Sequence, residues 1–341
     1  MSKLNKNYLI DVFSTLGTQL SYPDEQLKAI INDEHYYNAW FTPQNVEHAV
    51  KSIGRMLNKA DLTKWLDRYE INYENAAKKV GVILAGNIPL VGFHDVLCVL
   101  ITGNHALIKA SAQDARLIKF VLDMLVEIEP EFQSRYSFVE RLQNFDAVIA
   151  TGSNNTSRYF EFYFSKVPNI IRKNRNSVAI LTGNETTEQL YKLGHDLFDY
   201  FGLGCRNVSK LLVPEGYNFT PFFEAIQPHY AIINHHKYNN NYDYNKSIYL
   251  VNRNKHLDNG FLLVKEDERM VSPLAAVFYE QYKDTASVEA FLQRESENIQ
   301  CIVSTADVKA PNQVVGFGES QQPALWDYAD GVDTMDFLTK L

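Results

Sequence analysis

The chain has 341 residues, 45% apolar and 22% charged, which supports a sizeable core and excludes an extended disordered protein. Its net charge of −8 excludes a nucleic-acid binder with a basic surface throughout, while leaving room for a local phosphate pocket. Three widely spaced cysteines, Cys98, Cys205 and Cys301, show no CxxC, which excludes a disulfide framework or zinc cluster and fits a reducing compartment.

No run approaches the ~18 apolar residues of a membrane span, and the first residues lack the apolar stretch of a secretory signal. A soluble cytoplasmic protein of two domains, or one large α/β unit, is therefore expected. Residues 1 to about 70 predict helices: apolar residues in 9–16 fall at helical spacing, Ser21 is placed to cap a second helix, and Thr42 precedes Pro43. The texture changes at Lys79. Residues 80–85 predict a buried parallel strand ending at Gly86-Asn87, followed by an apolar helix over 91–100. A second strand at 106–109 ends in the polar turn 110–114, and 115–128 carry a helical stripe from Leu117 to Val126. A third strand, 145–150, enters Thr151-Gly152-Ser153 and a helix through 158–164. This alternation predicts a doubly wound parallel sheet, which binds ligands at the carboxyl ends of its strands. Those ends offer Asn87, then Lys109 with Ser111, then Gly152 with Ser153. An amide, an ammonium and a helix N-terminus suit a phosphate-bearing cofactor. No GxGxxG follows any of these strands.

After Pro168 the chain is expected to turn through 170–177 into a strand at 178–181, then a helix from Thr186 or Thr187 to Phe201. Gly202 and Gly204 predict a sharp turn that brings the Cys205 thiol to an approachable surface. A thiolate there is a competent nucleophile, whereas an isolated cysteine is more often a small buried hydrophobe. A strand at 209–213 opens a second α/β unit. It comprises a helix at 221–226, a strand at 230–233 and an exposed polar loop at 237–245. Further strands are expected at 247–251, 261–264, 276–279 and 302–303, with a helix at 287–297. His235 and His236 read as solvated loop residues, because no third ligand is spaced to complete a metal site. His195 reads as a helix-surface residue, and Cys98 and Cys301 as packing residues.

Four segments stand in a telling order: Val80-Gly-Val-Ile-Leu-Ala-Gly-Asn-Ile-Pro89, Gly103-Asn-His-Ala-Leu-Ile-Lys-Ala-Ser111, Asp146-Ala-Val-Ile-Ala-Thr-Gly-Ser153 and Gly202-Leu-Gly-Cys205. Together they resemble the aldehyde dehydrogenase superfamily, and more narrowly its acyl-CoA reductase branch of the bacterial-luminescence fatty-acid reductase type. The resemblance covers roughly residues 75–215. It implies an α/β fold with a doubly wound parallel-sheet cofactor domain, which together with the helical N-terminal region occupies 1–176. A second α/β catalytic domain would follow at 177–325, and a C-terminal arm at 326–341. It also implies Cys205 as nucleophile and Asn87 as the oxyanion-hole amide. Lys109 and Ser111 would lie at the cofactor ribose, Gly152 and Ser153 at the pyrophosphate, with no metal. Glu268, in the nearest match to a nicotinamide-ribose motif, stands one residue out of register. An ordinary surface glutamate is the alternative there.

One departure narrows the chemistry. Hydrolytic members of the superfamily carry a water-activating glutamate in a segment of the form ELGGK. The corresponding turn here, Ile171-Arg-Lys-Asn-Arg-Asn176, has none, with Lys173 32 residues before Cys205. The implied activity is therefore reduction of an acyl-CoA, of fatty acyl type, to the aldehyde through a thioester on Cys205, with coenzyme A as part of the substrate. NADPH is the implied cofactor, since Arg116 follows Lys109, and NADH remains open. Glu185 or Glu188 as the missing base would instead give a hydrolytic aldehyde dehydrogenase. A thiol acyltransferase or hydrolase, and a non-catalytic binding relative on the same fold, also stay open. A homo-oligomer or an acyl-activating partner enzyme is compatible with the branch.

Overall fold

Apolar runs of about five residues alternate with helical stripes from residue 79 onward, and this dictates the architecture. The structure, a computed structural model, describes residues 5–341. The chain forms two compact units, one of residues up to Asn174 joined by Ala324–Leu341, the other of Arg175–Pro323.

In the first unit, β1 (Lys79–Ile83), β2 (His105–Lys109), β3 (Tyr136–Phe138), β4 (Ala147–Thr151) and β5 (Asn169–Arg172) form one sheet in the order β3-β2-β1-β4-β5. Every pairing in it is parallel. The chain reverses direction across the sheet between β1 and β4, which makes their carboxyl ends the topological switch point. Four helices precede it: Lys6–Ser21, Glu25–Asp33, Pro43–Met56 and Lys59–Leu66. Asn5, Asp24, Thr42 and Asn58 accept from backbone N–H groups of their first turns, so each start is encoded by a short polar side chain. Ser21, expected as a cap, is instead the last residue of the first helix, and Asp24 takes that role. The helices share a continuous core with the sheet, from Leu9 and Trp65 through Val80, Val82 and Ile108 to Leu125.

The second unit holds β6 (Asn176–Ile180), β7 (Val208–Pro214), β8 (Leu257–Asp258), β9 (Leu263–Glu266), β10 (Ala276–Tyr282), β11 (Ile299–Val303) and β12 (Gln313–Val315). Their order is β12-β11-β6-β7-β10-β9-β8, parallel except for the β8–β9 edge pair. β11 is buried at every position and β7 at all but its last, as expected of strands covered on both faces.

Several expectations fail here for identifiable reasons. The turn expected through 170–177 contains β5, whose short alternation of buried and half-buried residues is masked by its polar ends. Residues 230–233 form part of a 3₁₀ helix, Gln227–Asn234, rather than a strand. The polar loop 237–245 and the strand 247–251 are one α-helix, His236–Val251, whose buried face is built from Tyr238, Tyr242, Asn245 and Tyr249. That spacing of four, three and four is helical, but tyrosine and asparagine hide it among polar neighbours. His235 is the N-cap of this helix rather than a loop residue. Residues 326–341, expected as an arm, belong to the first unit, where Leu325, Tyr328, Met335 and Leu338 join the core. There the Trp65 indole donates to the Tyr328 hydroxyl (2.6 Å), and the Tyr69 hydroxyl to Asp333 (2.7 Å).

Candidate active site

Two clusters carry the residues expected to act, one on each unit. In the first unit the carboxyl ends of β2, β1 and β4 are neighbours, with Ile83 registered against both Lys109 and Ala150. Gly86 follows β1, where a Cβ would lie 2.4 Å from the Ser111 Oγ, so only glycine allows these two turns to touch. Asn87 and Lys109 are exposed beside that contact, and Ser111 is half-buried. Beyond β4, Ser153 caps the helix Asn154–Phe164, its Oγ accepting from the Thr156 N–H at 3.3 Å. A Cβ on Gly152 would meet the Phe160 ring at 2.8 Å, so this glycine lets the helix start directly over the strand end. An exposed ammonium, a capped helix N-terminus and close-packed backbone turns form a cradle whose chemistry fits a phosphate-bearing cofactor.

Arg116 is engaged elsewhere. Its guanidinium lies 3.3 Å from Glu34 and 3.8 Å from Asp33, and it stacks on Tyr37. Glu34 is buried, which raises its pKa against the pull of Arg116. The lean toward NADPH therefore loses this arginine and rests on Lys109.

In the second unit the helix Thr187–Phe198 passes into a 3₁₀ turn, Asp199–Gly202, and reaches Cys205 at the amino end of β7. Tyr200, Phe201 and Gly202 have φ of 53°, 59° and 76°, three left-handed residues in succession. Gly204 does not share that conformation, and hydrogen bonds to Asn207 hold it instead. Buried Asn207 accepts the Gly204 N–H at 2.8 Å and donates to the Asp196 and Asp199 carbonyls at 3.1 and 2.9 Å. The Ser177 hydroxyl donates to the Cys205 carbonyl at 3.1 Å, and Arg206 donates to the Ser320 carbonyl and to Gln313. Cys205 is partly exposed, whereas Cys98 and Cys301 are buried. Asn207, Ser177 and Arg206 escape sequence reasoning. Their only signal is polarity within or beside a strand that is otherwise buried.

His195, on the helix leading to this turn, binds Asp199 at 3.1 Å, and that bond raises its pKa. Glu185 and Glu188 lie beyond the carboxyl end of β6, while Cys205 precedes the amino end of β7. The two strands pair in parallel from Ser177–Val208 to Ile180–Leu212, with one register shift after Ser177, so roughly 10–13 Å of strand separates the acids from the thiol. Glu185 accepts from Thr182 and Gly183, and Glu188 pairs with Lys192. Glu268 is exposed in the connection between β9 and β10.

Solved structures of similar fold include several aldehyde dehydrogenases. Aldehyde dehydrogenase 21 of Physcomitrella patens, in complex with its reaction product succinate, is 12% identical over 99% of this chain and 84% of its own, with a TM-score of 0.70. Indole-3-acetaldehyde dehydrogenase AldA of P. syringae, solved with NAD+ and IAA, is 11% identical over 92% and 77%, with a TM-score of 0.67. An aldehyde dehydrogenase of Mycobacterium tuberculosis complexed with NAD+ is 11% identical over 92% and 77%, with a TM-score of 0.64. No curated protein sequence matches the chain. The fold is thus that of the aldehyde dehydrogenases.

The sequence matches the acyl-CoA reductase (LuxC) family over residues 3–194, more than half of its length, and the chain belongs to that family. Membership in it makes the protein an oxidoreductase acting on aldehyde or acyl groups. The matched stretch takes in Asn87, Lys109, Ser111, Gly152 and Ser153 and ends before the cysteine turn. Among the described residues no helix is long and apolar enough to cross a membrane.

Proposed function

We propose that the protein reduces a fatty acyl-CoA to the aldehyde through a thioester on Cys205, with NADPH as the preferred cofactor and NADH as the alternative. The observation that carries this reading is the end of the sheet on which the thiol lies. Glu185 and Glu188, the two acids weighed above as water-activating bases, belong to the opposite end. An acyl-enzyme without such a base exchanges with thiols in preference to water.

Lys109, Ser111, Gly152 and Ser153 would hold the ribose and phosphates of the cofactor, and Glu268 its nicotinamide ribose. The Cys205 thiolate bonds to the thioester carbonyl carbon, the bond from that carbon to the CoA sulfur breaks, and CoA leaves as a thiolate that takes a proton from solvent. Asn87 and the Cys205 backbone N–H would hold the developing oxyanion, each such donor being worth roughly 2.7–4 kcal/mol. When bound, the reduced nicotinamide supplies a hydride to the acyl carbon. The bond from that carbon to Cys205 Sγ then breaks, releasing aldehyde and restoring the thiolate.

Incubation with radiolabelled long-chain acyl-CoA tests the reading. Label is expected on wild type and not on Cys205→Ala, and added NADPH should discharge it as aldehyde, with NADH slower. Label that leaves as free acid would favour hydrolysis, and label indifferent to both cofactors would favour acyl transfer. No label on wild type overturns the reading.

A further inference from the structure

Lys210, in β7, is fully buried, 0% exposed. A buried ammonium is costly unless every proton finds an acceptor. Its Nζ donates to the main-chain oxygens of Asp267 (3.1 Å), Glu268 (2.9 Å) and Arg269 (3.4 Å), and to Glu280 Oε2 (2.7 Å). The preceding residue extends the row, with the Ser209 hydroxyl donating to the Met270 carbonyl at 2.8 Å. Two adjacent side chains of β7 thus hold four consecutive carbonyls of the connection between β9 and β10. The same connection is stiffened from outside by Asp267, whose carboxylate is clasped by Arg269 and Lys265 and held well below the usual carboxylate range. A methionine would fill the volume of Lys210 without its charge, so packing alone does not account for a lysine there.

β7 begins three residues after Cys205, and Glu268 and Arg269 are the exposed residues at the centre of the held segment. The geometry points to Lys210 as a positioning residue. From the strand that follows the nucleophile, it fixes the backbone at Glu268, so that the nicotinamide ribose is gripped at a set place relative to the thiol. This inference rests on the proposed role of Glu268 in cofactor binding. Acylation of Cys205 uses neither residue, so the two half-reactions should separate.

The test compares wild type, Lys210→Met, Glu268→Gln and the double variant in three measurements: acylation of Cys205 by labelled acyl-CoA, the KM for NADPH, and hydrogen exchange of amides 267–270. Lys210→Met should acylate at a rate within about twofold of wild type and raise the NADPH KM about tenfold or more, as Glu268→Gln does. The double variant should be no worse than the poorer single one, as for two residues acting as a unit. Exchange at 267–270 should quicken in Lys210→Met and not in Glu268→Gln, because only the lysine holds the backbone. If the methionine variant does not fold, Lys210→Gln, which keeps a donor, carries the same comparison. An unchanged NADPH KM, additive defects, or unchanged exchange at 267–270 would each overturn the proposal. Failure of wild type to acylate would instead sink the acyl-CoA reading, and the exchange result would stand apart from it.

Discussion

Tyr200 and Phe201 adopt left-handed backbone conformations, each at a cost of roughly 1–2 kcal/mol for a residue bearing a Cβ. Burial of both side chains, with the Phe201 ring tilted against that of His235 at 4.3 Å between centroids, holds them there. Gly202→Ala would add a third such penalty and bring a Cβ to 3.3 Å from the Leu197 carbonyl, so a loss of about 1–2 kcal/mol is expected in denaturant titration. Asn207→Ala leaves the buried Gly204 N–H and two helix-end carbonyls without that partner and should cost about 1–3 kcal/mol. It should also change the rate at which iodoacetamide alkylates Cys205, and the buried Cys98 and Cys301 make that rate specific. Asp196 is buried and its pKa is pushed up to about 6, against the pull of the Gly318 and Ser320 N–H groups. Between about pH 4 and 6 the folded state keeps a proton that the unfolded state has lost, so this group's contribution falls as pH rises. The stability difference between wild type and Asp196→Asn should therefore shrink over that window and be flat above it, as read by melts across pH. The turn at Cys205 was legible because two glycines and an apolar strand frame it. Asn207 was not, because one asparagine makes no pattern, and Arg116 misled because its acidic partners lie some eighty residues earlier in the chain.

The helix His236–Val251 shows where element reading loses its footing. Its buried stripe is aromatic with polar tips: the Tyr238 hydroxyl donates to the Phe261 carbonyl at 3.0 Å, and the Tyr242 hydroxyl to Asp258 at 2.7 Å. Such side chains score as polar along a sequence yet bury like aromatics once each hydroxyl has a partner. Tyr238→Ala should cost about 3–5 kcal/mol, as for a large core aromatic, while Tyr242→Phe should cost only about 1 kcal/mol through one lost hydrogen bond. Urea midpoints of the two variants would separate packing from hydrogen bonding in this helix. β1, β2 and β4 of the first sheet were legible because parallel strands buried on both faces are uninterrupted apolar runs, whereas β5 was not. β3, β8 and β12 span only two or three residues, too few to set a period.

At the scale of the molecule, the alternation of strands and helices predicted the doubly wound sheet, but not that the first unit is discontinuous in sequence. Its closure depends on a buried ion pair. Arg172 donates to Asp95 (2.6 Å), to the Ala329 carbonyl (2.5 Å) and to Thr334 (2.9 Å), which ties β5 and the helix Phe93–Ile101 to the segment Ala324–Leu341. Arg172→Met strands a buried carboxylate and should cost about 3–5 kcal/mol, whereas pairing it with Asp95→Leu should recover much of that loss. Protease cutting within 324–341, which should quicken in the single variant and slow again in the double one, reports the effect directly.

The same discontinuity sets an order of events on the ribosome. Trp65 waits for Tyr328, 263 residues later, an interval of roughly 13–50 s at about 5–20 residues per second. All of Arg175–Pro323 is made within that interval, so the unit bearing Cys205 has its full sequence before the unit that starts the chain does. The part translated first is the part completed last, and its apolar surface stays exposed to chaperones until residues 324–341 arrive to cover it.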